Sequence, residues 1–528
     1  DGKHVLWAST VGVDGEVLKV DTDTMFVIDK LIPSVEQQTR PSQPGLSGAY
    51  NLVDADNRLF VGLEASLVVY GDALPGVRLS PIAQLASFEL PASAMCGDDR
   101  LVGINMTYDG RIAFATQNGI VGTIPRDPDQ MTQENLVTVS LNGDDCSAGP
   151  DGVAEEVSNS IATDENGGIY VVTSRAMYRV DSDGDELAVV WRAGYGGAGN
   201  AGAGRIGPGS GSTPSLMGTA PEDDRFVVIT DSQDLMHLVL MWRDEIPVDW
   251  QPVRAGADRR IACEIPVTFG DPNTTESLSE QSVLVRGHSA VVVNDKQPLS
   301  PVTDQLPAQL QIYSPLLVSA PGSEPRGIEK YSWDSATRSC GVDWSNPDVP
   351  LPNGIPSMST DSNLIYAVGI RDSVWTLEGI DFTTGEEMLR VPMSSSPTTN
   401  STYAAATIGP GGTLWTGTFG GIVRFQPCDP VIELDCGRRL SPDEALIGTF
   451  PNDPVQLLQH FFGIPNGEPG EAAPDKRDAP FAVAPRQGSD GDEGPTARTD
   501  LAATGGGAAL AAALALGLSA TTRRRRRD

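Results

Sequence analysis

Basic side chains are scarce in this chain. Six lysines, 31 arginines and four histidines (His4, His237, His288, His460) face 70 acidic residues over 528 positions, and the formal charge is −33. The five arginines at the end hide part of that imbalance. A surface this acidic repels phosphate backbones and anionic lipid heads, which argues against nucleic acid as a partner. The six cysteines form no CxxC pair and the histidines are scattered, so a zinc site of ordinary spacing is not indicated. GxSxG, HExxH and Walker sequences are absent, which removes the commoner serine hydrolases, zincins and P-loop enzymes. GxGxxG occurs twice within 196–207, but Pro208 and a strand follow instead of a helix, so the segment reads as a loop over one face of the fold. Helical periodicity is missing from residues 1–430.

What fills that region is one repeated phrase: a turn of Asp, Asn and Gly, then a β-branched or aromatic strand. It stands at Asp54-Ala-Asp-Asn-Arg-Leu-Phe-Val61, Tyr108-Asp-Gly-Arg-Ile-Ala-Phe114, Asp164-Glu-Asn-Gly-Gly-Ile-Tyr-Val-Val172, Glu222-Asp-Asp-Arg-Phe-Val-Val-Ile229, Asp361-Ser-Asn-Leu-Ile-Tyr-Ala367 and Gly411-Gly-Thr-Leu-Trp415. Turn residues flanked by strand formers are hairpin signals. Leu59, Ile112, Ile169 and Phe226 are spaced by 53, 57 and 57 residues. A period near fifty built only of strands predicts an all-β chain folded as a β-propeller. A weaker unit at 282–293 and an amino-terminal unit at 5–20 bring the count to eight blades, or seven if the latter closes the final blade. The propeller is expected over 1–436.

In a propeller the innermost strands point their first residues at one channel mouth. Those positions hold Asn51, Asn105, Asn159, Thr213, Glu280 or Gln281, Ser357 and Tyr403. Three asparagines and a carboxylate supply oxygen ligands of the kind Ca²⁺ takes; alternatively the asparagines cap strand starts by bonding local backbone. The run Ser158-Asn-Ser-Ile-Ala-Thr-Asp-Glu-Asn-Gly-Gly-Ile-Tyr-Val171 resembles the repeat of gluconolactonase, paraoxonase and strictosidine synthase-like propellers. That resemblance implies Asn51, Asn105 and Asn159 as calcium ligands, with the ion polarising an ester or lactone carbonyl. Those families have six blades and two carboxylates on the ion, where this sequence offers only Glu280. The acidic clusters at 21–24, 142–145 and 181–186 lack EF-hand spacing and read as turns.

The carboxyl-terminal part changes character. Ser441-Pro-Asp-Glu444 and Asp453-Pro454 open two short helices in an appendix at 437–463. Residues 464–500 are Pro, Gly, acidic and Ala, a stalk without the apolar content to order itself. The stretch 501–528 resembles a sortase sorting signal: Leu501-Ala-Ala-Thr504-Gly505, a 16-residue apolar run to Ala520, and Arg523–Arg527. The run is shorter than the roughly 20 residues of a permanent span, and the arginines supply positive-inside retention. The resemblance implies cleavage between Thr504 and Gly505, with sortase and peptidoglycan as partners and an extracellular, wall-anchored protein; a tail anchor or a rhomboid-type cleavage are the alternatives. The chain opens at Asp1 without methionine, as a processed or truncated one would. An oxidising compartment favours disulfides among the cysteines. Cys428–Cys436 is the most local of the possible pairs, with Cys96–Cys146 and Cys263–Cys340 following by proximity; free buried thiols are the alternative. The function expected is recognition of an extracellular ligand or partner at the channel mouth, with a calcium-dependent lactonase or esterase, or a quinone-dependent dehydrogenase, as the other readings.

Overall fold

The computed structural model describes residues 4–10, 16–33, 49–200, 205, 207–219, 224–296, 324–352, 354–396, 399–401, 403–418, 421–427 and 501–503. The Cys428–Cys436 pair, the helical appendix, the stalk, the apolar run and Thr504–Gly505 lie outside the described residues. Eight antiparallel sheets follow one another along the chain, seven of four strands and the first of three. They span residues 5–31, 51–89, 101–140, 162–194, 215–266, 284–346, 357–394 and 407–425, and the eighth takes Leu501–Ala503 as its outer strand. These are blades 1 to 8. Eight is the larger of the two expected counts, and it separates the chain from the six-bladed families its repeat resembles.

The repeated phrase forms the turn between the first and second strands of blades 2, 3, 4, 5, 7 and 8. Asp54 Oδ1 accepts from the amides of Asp56 and Arg58 at 3.0 and 2.9 Å, and Asp164 Oδ1 from those of Asn166 and Gly168 at 2.9 and 2.8 Å. Thr107 plays the part in blade 3, accepting from the Arg111 amide. The fourth residue must then turn left-handed, and Asn57, Gly110 and Gly167 have φ of 59°, 87° and 85°. The acidic clusters at 21–24 and 181–186 are also turns, in which Asp21 and Asp183 each receive the amides two and three residues on.

Second and third strands are buried along nearly their whole length, while fourth strands alternate toward solvent. A bulge recurs between third and fourth strands, at Val69/Tyr70, Arg179/Val180, Leu240/Met241 and Lys330/Tyr331. The same bulge falls at Lys19/Val20 between Val17–Asp21 and Val27–Leu31 of blade 1. Those two are therefore its third and fourth strands, and among the described residues the channel-side strand of blade 1 is the one missing.

Blades pack face to face. Trp242, Trp333 and Phe226 meet with ring centroids 4.8–5.6 Å apart between blades 5 and 6, an arrangement that adds to plain burial. Blade 8 returns to blade 1, where Trp415 and Ile422 pack on Val20 and Met25. Arg424 seals this closure by donating from Nη1 to the carbonyls of Thr22 at 2.6 Å and Asp23 at 3.1 Å. Cys263 and Cys340 bridge the outer strands of blades 5 and 6, and Cys96–Cys146 ties the segment entering blade 3 to the one leaving it.

Candidate functional site

The closed ring brings the segments ahead of six innermost strands to one recess that opens to solvent. Tyr50 comes from blade 2, Asn159 from blade 4, Thr213 from blade 5, Glu280 and Ser282 from blade 6, Ile355 from blade 7 and Tyr403 from blade 8. Six blades thus contribute through residues a few positions before the strand begins. Gly207 and Gly211, at the end of the glycine-rich loop, form part of the wall.

Among the described residues Glu280 is the only charged side chain of this lining. It is 6% exposed, and its Oε2 accepts from the hydroxyl of Tyr403 at 2.9 Å, 123 residues away in sequence. Two features of the backbone make that contact. Tyr403 has φ of 57°, a left-handed conformation that costs a bulky residue energy and is retained only where its surroundings impose it. Gly211 also has positive φ, 74°, and a Cβ there would sit 2.6 Å from Glu280 Cγ, so only glycine leaves room for the carboxylate.

Asp295 lies behind the recess. Its Oδ2 accepts from the Glu280 amide at 2.7 Å, while Oδ1 is buried without a hydrogen-bond partner among the described residues. Burial raises the Asp295 carboxyl well above the usual range, and the Glu280 charge adds to this against the Glu280 amide, Gln281 and Arg205. Burial likewise pushes the Tyr403 hydroxyl up, followed by the Glu280 and Asp295 charges. Tyr50 is raised by burial too, opposed by the Thr213 hydroxyl and the Ser160 backbone. Arg205 is buried and directs Nη1 to the carbonyls of Gly209 and Ser210, outside the lining.

Of the residues expected at the mouth, Asn159, Thr213, Glu280 and Tyr403 meet there. Asn51, Asn105, Gln281 and Ser357 do not line it. Asn51 bonds Ser9 across to blade 1 at 2.8 Å, and Asn105 spans to the Ile161 carbonyl while accepting from the Met106 amide, both at 2.8 Å. Asn159, with its amide turned to donate to the Gly211 carbonyl at 2.7 Å, braces the recess wall. Of the four expected calcium ligands, Asn159 and Glu280 line the recess and Asn51 and Asn105 do not; among the described residues no group of three His, Cys, Asp or Glu gathers around one point. Tyr50 escaped the sequence reading by one position, and Asp295 carries no local signal at all.

A closed eight-bladed ring with a carboxylate and two tyrosines at its mouth defines this chain as a β-propeller with one concave polar site. No family model matches the sequence. A protein of Archaeoglobus fulgidus described as uncharacterized is 45% identical over 430 residues, covering 81% of this chain and 78% of that one, and the chain belongs to its family. Among solved structures, quinohemoprotein alcohol dehydrogenase from Comamonas testosteroni aligns at a TM-score of 0.47 and 13% identity over 80% of this chain and 70% of its own. Dihydro-heme d1 dehydrogenase NirN gives 0.46 and 12% over 81% and 71%. A putative 6-phosphogluconolactonase from Bacteroides fragilis gives 0.39 and 11% over 74% and 94%. At such scores nothing of their activities carries over.

Proposed function

We propose that this chain is a cell-surface propeller whose channel mouth binds a small extracellular ligand. The observation that carries the reading is the convergence of six blades on one recess, with hydroxyls, an amide and a carboxylate set among tyrosine, alanine and isoleucine. A concave wall that is partly apolar, with a few placed polar groups, is the usual form of a small-molecule site. Two disulfides in the described residues agree with an oxidising surroundings. The sorting-like tail supplies the attachment, and Thr504→Ala should move the protein from the wall to the membrane fraction; an unchanged distribution removes the sortase reading.

Thermal-shift screening of the full chain against small polar metabolites, beside Ser282→Trp, tests the mouth itself. Tryptophan at 282 fills the recess, so a ligand should raise the melting temperature of the parent and leave the variant unmoved. Equal shifts in both proteins place binding elsewhere and overturn the proposal.

A further inference from the structure

We propose that Lys19 and Asp72 condense into an amide, an intramolecular cross-link between blades 1 and 2. Lys19 lies on the third strand of blade 1 and has no exposed surface. Asp72 ends the third strand of blade 2, 53 residues on, and its Oδ1 is in contact with Lys19 Nζ. Val17 and Tyr70, two residues before each on the same strand face, belong to the apolar core between these blades. So does Trp7, whose ring centroid lies 5.5 Å from Nζ. A buried ion pair loses to desolvation much of what it gains from attraction. An amide carries neither charge.

The surroundings match the product group by group. An ammonium has three N–H donors, and among the described residues this one meets two acceptors, Asp72 and the Ser80 carbonyl, the latter at 3.1 Å. The amide would keep one N–H for Ser80 and one oxygen, Asp72 Oδ2, which already accepts from Asn57 Nδ2 at 3.1 Å. Asn57 is itself held by Trp7, whose Nε1 donates to its Oδ1 at 2.8 Å. In the reaction the ammonium passes a proton to Asp72 Oδ1, the freed amine attacks Cγ, and the Nζ–Cγ bond forms as the Cγ–Oδ1 bond breaks. Oδ1 leaves as water with two of the three ammonium protons, so no co-reactant is needed. Asn57 steadies the charge that builds on Oδ2, and the fold supplies the proximity that a bimolecular encounter would lack. The Asp72 side chain is 14% exposed, which gives the water a way out. The link fastens blade 1, which shows three strands among the described residues, to a complete neighbour.

Peptide mapping of the full chain, with its disulfides reduced, tests this. Digestion should release one branched peptide joining the Lys19 strand to the Asp72 strand, lighter by one water than the two separate peptides, and the intact chain should be short by the same mass. Lys19→Arg and Asp72→Ala should each restore the full mass, remove the branched peptide and lower the denaturation midpoint. Separate peptides carrying Lys19 and Asp72 in the parent would show an ordinary ion pair and overturn the proposal. A water deficit that survives Lys19→Arg arises elsewhere, as at an aspartyl succinimide, and overturns it too. Should either variant fail to fold, the peptide map of the parent decides alone.

Discussion

Two residues set the chemistry of the mouth, and each is tested by its own substitution. Gly211→Ala puts a Cβ 2.6 Å from Glu280 Cγ at a left-handed φ. It should cost more than about 1 kcal/mol in urea unfolding, whereas glycine to alanine at a relaxed position is neutral or stabilising. Asp295 has the opposite character. Its folded pKa is raised, so the stability it contributes is complete below 3.8 and fades as pH rises through the folded value. Asp295→Asn keeps the neutral shape, so its melting temperature should match the parent near pH 3.5 and exceed it at pH 7. Equal melting temperatures at both would show that Asp295 is not held as the acid. At this scale the sequence was half legible. Asp54 and Asp164 announce their turns because the amides they bind are two and four residues away. Asp295 does not, because the amide it meets belongs to a separate strand start, and Asn51 was read for Tyr50 because adjacent residues at a strand entry point opposite ways.

Blades behave as elements joined by packing and by few covalent ties. Cys263–Cys340 closes 77 residues between two outer strands. Replacing both cysteines by alanine should lower stability by about 2–4 kcal/mol, read as a shift of the denaturation midpoint, and an unchanged midpoint would mean that the blade contact alone holds these edges. Second strands were the most legible elements, since Leu59, Ile112, Ile169 and Phe226 all fall on them and their turns repeat in composition. First strands are short, as few as the two residues of Ala162–Thr163, too little for a period to show. That brevity explains why Asn51 and Ser357, both in three-residue first strands, were misplaced while the blades were counted correctly.

At the scale of the molecule, closure depends on blade 8 meeting blade 1. Arg424 is 9% exposed and donates to two blade 1 carbonyls. Arg424→Met keeps much of the apolar stem and leaves those carbonyls without their donor, which should cost about 1–3 kcal/mol and speed proteolysis at the seam; equal proteolysis would mean that Trp415 and Ile422 close the ring unaided. The spacing of hairpins made a ring legible, but the three strands blade 1 shows among the described residues were not, because only the position of the bulge reveals which strands they are.

The account stands on the ring placing Tyr403 of blade 8 against Glu280 of blade 6. A double-mutant cycle with Tyr403→Phe and Glu280→Gln, followed by denaturant unfolding, measures that contact. A coupling energy of at least about 0.5 kcal/mol is predicted for groups that touch. Additive losses would contradict the contact and, with it, the convergence of the blades on a common mouth.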